Sequence, residues 1–401
     1  MLQTQTHTTN EKESTWGLFL IFLRLGLTSF GGPIAHLGYF RDEFVARRHW
    51  LSEQGYADLV ALCQFLPGPA SSQVGMAVGI LRHGYPGAFV AWAGFTLPSA
   101  VALILFALGI SHGSHLPPDM LHGLKLAAVA VVAQAVLGMA RKLCTDAPRI
   151  AIAALAAGAT LLLPGAAGQL AIIVVAGVGG VLILQAPHET GNEPMPVTIA
   201  KRAGIAWLAL FCALLALLPL LASTLPWQAL ADVSAFFRTG ALVFGGGHVV
   251  LPLLQAEVVP GGLVSNDVFL AGYGAAQAVP GPLFTFAAFL GASMQVAPSG
   301  WSGGMICLLA IFAPSFLLVA GTMPFWADLR RSSRMRSALG GVNAAVVGLL
   351  AAALYYPVGT SALFAPKDFI IALAALAALQ SGRCPPWLAV LCCAAAGALL
   401  G

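Results

Sequence analysis

Arg24 is followed six residues later by Phe30-Gly31-Gly32-Pro33, and Arg238 is followed at the same distance by Phe244-Gly245-Gly246-Gly247. A second motif, Gln64-Phe65-Leu66-Pro67-Gly68-Pro69, returns as Gln277-Ala278-Val279-Pro280-Gly281-Pro282. The offset is 214 residues at the first motif and 213 at the second. Each half of the chain therefore carries an apolar segment with one arginine and a glycine break, then another with a Pro-Gly-Pro break. A guanidinium and irregular backbone are both costly in hydrocarbon, so they persist where a polar site needs them. The pattern predicts an all-α, polytopic membrane transporter.

Composition agrees. The 401 residues are 59% hydrophobic and only 8% charged, whereas about a quarter of a soluble domain is charged. Apolar runs bounded by polar breaks fall near 16–38, 55–81, 86–111, 121–140, 149–164 and 168–186, then, past a polar linker at 187–201, near 203–224, 231–255, 267–292, 300–324, 337–356, 367–380 and 386–400. That gives about thirteen membrane segments. The expected organisation is a polar cytoplasmic tail (1–14), a first repeat (15–186), the linker with one connecting span (187–228) and a second repeat (229–401). No cleavable signal sequence is expected. The seven cysteines lie mostly in apolar runs without metal-ligand or C-x-x-C spacing, so no metal and no cofactor is expected. Nothing resembles a basic, aromatic-laced nucleic-acid face.

The repeat extends past its two motifs. Glu43 matches Glu257, Ser52 matches Ser265, Pro98-Ser99 matches Pro314-Ser315, and Ala127-Ala128-Val129 matches Ala344-Ala345-Val346, with an offset drifting slowly from 213 to 217. Ser52 and Ser265 read as helix N-caps. An odd number of spans between repeat starts inserts the second repeat upside down, a recurrent plan with a site at the repeat interface. With thirteen spans, twelve basic residues fall on one side and four on the other, which makes the first side cytoplasmic. Arg41, Arg47 and Arg48 are the misfit.

The candidate site follows from chemistry. Arg24, Thr28 and Gly31 share a helix face, as do Arg238, Leu242 and Gly245. Gly31, Gly32 and Pro33 in one half, and Gly245, Gly246 and Gly247 in the other, interrupt their helices. Pro67-Gly68-Pro69 and Pro280-Gly281-Pro282 cannot continue a helix, so the half-helix after each one begins with free amides and a positive dipole end, a ready anion seat. Ser72 and Thr285 could add hydroxyls, and Gln64 and Gln277 neutral amides. The Born cost of burying an ion rises with the square of its charge, so a dianion needs more than one cation can supply. His36 and His248 lie near the breaks at non-equivalent positions, and Lys125 has no counterpart. These three are candidates for coupling, with a structural histidine as the alternative. Glu43 and Glu257 read as interfacial.

With its doubled F-G-G-P/G and Q-x-x-P-G-P elements, the chain resembles the chromate ion transporter family over essentially its whole length. That resemblance implies export of chromate across the bacterial inner membrane, chromate resistance, and two halves of opposite orientation. It carries over Arg24, Phe30, Gly31, Gly32, Pro33, Gln64, Pro67, Gly68 and Pro69, with Arg238, Phe244, Gly245, Gly246, Gln277, Pro280, Gly281 and Pro282. Gly247 replaces the proline of the first half. The partners expected are chromate or a sulfate-like oxyanion and the lipid bilayer, with a homodimer left open and nucleic acid excluded. No ATP-binding P-loop occurs, so transport is expected to be secondary. The rivals are sulfate or oxyanion uptake, an anion channel and a membrane-embedded enzyme.

Overall fold

The computed structural model describes residues 13–111, 118–163, 165–184, 199–382 and 384–400. Most of the polar tail and linker lies outside them. Among the described residues the fold is helical throughout, as expected. The first half contains α1 (Thr15–Thr28), α2 (Gly32–Arg41) continued by a π turn (Asp42–Arg47), α3 (Glu53–Phe65), α4 (Ala70–Ser111), α5 (Pro118–Leu143), α6 (Ala147–Leu162) and α7 (Ala166–Ile183). A connecting helix, α8 (Lys201–Thr224), follows. The second half contains α9 (Gln228–Leu242), a 3-10 turn (Gly247–Val249) leading into α10 (Val250–Val258), α11 (Asn266–Ala278), a 3-10 turn (Leu283–Thr285) leading into α12 (Phe286–Ser293), α13 (Gly300–Thr322), α14 (Trp326–Arg331), α15 (Ser333–Ala353), α16 (Pro366–Gln380) and α17 (Pro386–Leu400). Among the described residues, five helices are long and apolar enough to cross a membrane.

Helix starts follow sequence chemistry. Ser52 accepts from the Gly55 amide at 3.0 Å and Ser265 from the Val268 amide at 3.3 Å, so both serve as N-caps. Asp146 caps α6 by accepting from the Arg149 amide at 2.9 Å.

The broken segments turn back on themselves. A straight helix would hold Arg24 and Glu43 roughly 28 Å apart at 1.5 Å per residue, yet their side chains form an ion pair. Phe22 of α1 packs on Phe40 and Phe44, with ring centres 5.9 and 5.3 Å away. Residues 15–47 are therefore a helical hairpin with its tip at Ser29–Gly31. Likewise, Arg82 near the end of the 70–82 helix stacks on Trp50, just before α3, at 4.5 Å, so the Pro-Gly-Pro turn is the tip of a second hairpin. At His83–Gly84 the chain reverses again, and Gly79 and Gly87 meet backbone to backbone before the 85–111 helix departs. The second half repeats this plan. Arg238 pairs with Glu257 across one tip, and Phe286 packs on Phe269 and Tyr273 at 5.1 and 5.7 Å across the other. Four of the thirteen apolar segments are thus re-entrant.

Parity survives this refinement. Between the two hairpin pairs the chain runs through the 85–111 helix, α5, α6, α7 and α8, still an odd number, so the second pair enters from the opposite face. The halves also interlock. α5 packs on α16 and α17 of the second half, whereas α15 packs on α6 and α7 of the first. Close approach needs small residues. Gly123 meets Gly397 at the first crossing and Gly180 meets Gly341 at the second, and these two contacts are repeat-related. Leu155, Leu162, Val175, Leu182, Ile205 and Leu220 stay exposed on α6, α7 and α8, forming an apolar perimeter that a bilayer would cover.

Candidate functional site

The four tips meet between the halves, and they meet crosswise. The Gly68 amide, in the Pro-Gly-Pro tip of the first half, donates to the Val243 carbonyl at the glycine tip of the second, at 2.6 Å. The Gly281 amide, in the opposite Pro-Gly-Pro tip, donates to the Ser29 carbonyl at 3.0 Å. Each contact thus joins a Pro-Gly-Pro turn from one half to a glycine break from the other. Gly247 packs toward Pro33, its own repeat equivalent, and a methyl on it would lie 3.5 Å from Pro33 Cγ. The local pseudo-twofold axis therefore passes between the tips.

Glycine is required at the centre of both Pro-Gly-Pro turns. Gly68 has φ +122° and Gly281 φ +101°, a region that side chains disfavour. Space is also short: a methyl on Gly68 would sit 2.5 Å from Ser315 Oγ, and one on Gly281 would sit 2.9 Å from Ser99 Oγ. Ser99 and Ser315 are repeat partners, so each serine closes on the tip of the other half. The prolines explain why the tips lack helical bonding, since Pro33, Pro67, Pro69, Pro280 and Pro282 have no amide to donate.

Because each chain segment reverses at its tip, the returning helix starts there. α2 begins at Gly32, α4 at Ala70, the 247–258 helix at Gly247 and the 283–293 helix at Leu283. Four positive dipole ends therefore gather between the halves. Buried hydroxyls surround them. The Oγ atoms of Ser29, Ser72 and Ser315 and Oε1 of Gln73 are buried without a hydrogen-bond partner. Thr285, the counterpart of Ser72, spends its hydroxyl on the Pro282 carbonyl at 2.7 Å.

The sequence-predicted residues divide into groups. Gly31, Gly32, Pro33, Pro67, Gly68, Pro69, Ser72, Gly245, Gly246, Gly247, Pro280, Gly281, Pro282 and Thr285 all lie at or within a turn of the tips. Arg24 and Arg238 do not. Each stands along its hairpin, about 8 Å of helix back from the break, and binds a glutamate of the returning arm. Arg238 holds Glu257 with two bonds of 2.6 and 2.8 Å from Nη2. Glu43 receives Arg24, Arg47 and Arg48, the last through Nε at 2.6 Å. Burial alone would raise the Glu43 carboxyl, but Arg48 and Arg24 outweigh it and hold the group below the ordinary carboxylate range. Thr28 turns its hydroxyl onto the Arg24 carbonyl at 2.8 Å. Gln64 is exposed on α3, and Gln277 lies beside Tyr273.

His36 Nδ1 lies 3.3 Å from Ser71 Oγ and His248 Nδ1 lies 2.9 Å from Tyr273 Oη, so each histidine ties its glycine break to the second hairpin of its own half. Lys125 donates to Asp267 at 3.0 Å, linking α5 to the start of α11. Three features escaped sequence reasoning. Gln73, buried, donates from Nε2 to the Pro67 carbonyl at 2.7 Å and braces that tip. Ser99 and Ser315 registered only as landmarks of the repeat. The Arg–Glu pairs were visible as matched residues at a common spacing of 19, but a helix running through its break would have kept them apart.

Two interlocked, oppositely inserted helical repeats, with broken segments meeting crosswise between them, define a multi-pass membrane protein of the transporter class. The chain belongs to the chromate transporter family, which it matches over residues 16–183 and 230–398, one stretch for each half. A protein called chromate transport protein from Pseudomonas aeruginosa is 29% identical, covering 84% of this chain and 79% of its own length. The probable chromate transport protein of Synechococcus elongatus is 27% identical, over 88% and 87%. The chromate transport protein of Cupriavidus metallidurans is 26% identical, over 84% and 81%. No solved structure matches the chain.

Proposed function

We propose that the protein is a secondary transporter that exports chromate, and admits sulfate, from the cytoplasm across the inner membrane, so that a cell carrying it resists chromate. The oxyanion sits between the four helix starts, held by backbone amides and by the hydroxyls of Ser29, Ser72 and Ser315. The observation that carries this reading is the crossed pair of hydrogen bonds, Gly68 to Val243 and Gly281 to Ser29, which draws four positive helix ends to one place. Arg24 and Arg238 serve the two approaches, each released from its glutamate as the anion passes. Parting one crossed contact while the other holds opens the seat to one face at a time.

The orientation rests on loop charge. Because the hairpins return to their own face, Arg41, Arg47 and Arg48 join Lys12, Arg82, Arg141, Lys142, Arg149, Lys201, Arg202, Arg330, Arg331, Arg334, Arg336 and Arg383, leaving Lys367 alone opposite them. Fifteen against one favours a cytoplasmic amino terminus and an outer carboxy terminus. Export of a dianion across 100 mV, negative inside, then releases about 4.6 kcal/mol, which sustains roughly a thousandfold gradient. Sulfate, another tetrahedral dianion, offers the same charge and acceptor geometry.

The test is chromate uptake into everted membrane vesicles under an imposed potential. Saturable, potential-dependent uptake that fails in Arg24→Gln and Arg238→Gln, while both variants insert, supports the reading. Flux only in the opposite direction would make the protein an importer, non-saturating conductance a channel, and chemical conversion of chromate an enzyme.

A further inference from the structure

The second half carries a buried carboxylate that the first half lacks and that no cation answers. Asp232 lies on α9 and is 2% exposed, and the repeat-equivalent residue in the first half is Leu18. Its Oδ1 accepts from Gln228 Nε2 at 2.8 Å, while Oδ2 is buried with no hydrogen-bond partner. The side chain lines a cavity of about 330 Å³ together with Ser223, Gln228, Ser234, Arg238 and Glu257. The sole guanidinium on that lining already holds Glu257 through three bonds, so Asp232 has no counter-ion of its own. An isolated buried carboxylate is costly when ionised. It is relieved by a metal cation or by a proton. A metal ion asks for several oxygens at once, and among the described residues no cluster of three acidic, histidine or cysteine side chains could hold one. A proton asks for one lone pair, and Oδ2 offers it.

We propose that Asp232 is a proton-binding site that couples proton entry to oxyanion exit. This rests on the transport and orientation proposed above, which place the cavity, lined by the end of α8 and the start of α9, on the outer side. A proton from the outer water joins Oδ2, cancelling an unpaired negative charge beside the proposed route of a dianion. It leaves toward the cytoplasm when the tips part on that face. The elements packed on α9 bring few other groups that could answer for a pH effect. α10 contributes Glu257, α13 contributes Cys307, close enough to respond to the Asp232 charge, and α8 contributes only Ser223 among polar lining residues. Arg238 faces it from α9 itself.

The experiment uses the full-length protein in liposomes, with the membrane potential clamped by potassium and valinomycin and chromate as the probe. One proton exchanged per chromate makes the accumulation ratio change about tenfold for each pH unit of gradient. Asp232→Asn and Asp232→Leu, the latter the residue of the first half, are expected to abolish that dependence, and Asp232→Glu to restore it. In parallel, infrared difference spectra between acid and alkaline pH are expected to show a protonated-carboxyl band that both neutral variants lose. Chromate accumulation indifferent to the pH gradient, or a band that persists in both neutral variants, overturns the proposal. If the wild type moves no chromate but shows a band that the variants lose, the proton site stands and the transport reading falls.

Discussion

Replacing Gly68 by alanine should disable the contact between halves, and its cost can be worked from the structure. A left-handed φ penalises an L side chain by about 1–2 kcal/mol, and Gly68 sits at +122°. The added methyl would also stand 2.5 Å from Ser315 Oγ and 2.7 Å from Gln73 Nε2. Gln73 cannot simply swing aside, because that amide holds the Pro67 carbonyl at 2.7 Å. Overpacking of this kind costs about 1–3 kcal/mol, so Gly68→Ala should destabilise by about 2–5 kcal/mol in all. Thermal unfolding of the purified protein in detergent reads the stability loss, and chromate uptake by everted vesicles reads the functional one. Adding Ser315→Gly should return a smaller part of the loss, since it removes the nearest obstacle but leaves the Gln73 contact and the backbone penalty. Gly281→Ala should fall at the lower end, because its nearest contact, Ser99 Oγ, is farther at 2.9 Å. A Gly68→Ala protein that melts and transports like the wild type, or a double variant with no recovery, would refute the reasoning.

With the amino terminus inside, as proposed, the hairpin topology predicts that a cysteine replacing Arg47, in an otherwise cysteine-free protein, reacts with an impermeant maleimide in everted vesicles and not in intact cells. The reverse pattern would mean that the first segment crosses. Cutting the Arg238–Glu257 pair by Glu257→Gln should cost about 1–3 kcal/mol, discounted from a fully buried pair because Arg238 is partly exposed, and the exchanged double variant (Arg238→Glu, Glu257→Arg) should regain part of it in the same melting assay. The depressed Glu43 carboxyl sets a sign for pH: its contribution is present above the unfolded carboxylate value and lost as pH falls through the lower folded value. Acid unfolding of Glu43→Gln should accordingly show a weaker pH dependence than the wild type, and an unchanged profile would count against the cluster.

Much of this architecture was legible because membrane insertion imposes strong signals. The apolar runs, the repeat and its inversion followed from hydropathy, matched landmarks and parity, and the tips fell where Gly31, Gly68, Gly245 and Gly281 said the helices must stop. What sequence reading missed was direction. A glycine or proline break states that a helix ends, but a straight continuation and a reversal have the same local chemistry. The difference is decided by tertiary partners such as Phe22 on Phe44 and Arg24 on Glu43. The basic run at Arg41, Arg47 and Arg48 was the available warning, since a hairpin returning to its own face removes that misfit. Interlocking was invisible for a similar reason, because Gly123 and Gly341 advertise close packing without naming Gly397 and Gly180 as the partners.

Direction also changes which groups can carry a dianion. If the broken helices ran through the bilayer, the two guanidiniums would be the obvious charges for the seat. Folded back, Arg238 is cancelled by Glu257, and Arg24 is drawn to Glu43, which it shares with Arg47 and Arg48 at the end of the hairpin away from its tip. In the proposed site the compensation comes from the tips. A helix start behaves roughly as half a positive charge, and the four helices that begin at the tips together supply about two, the charge that a tetrahedral dianion brings. That balance needs all four tips together, two from each half, which a single repeat cannot provide. With the anion seated as proposed, the crossed hydrogen bonds give a physical reason for two inverted copies in one chain: each copy would be half of the seat, complete only where the Pro-Gly-Pro turn of one meets the glycine break of the other.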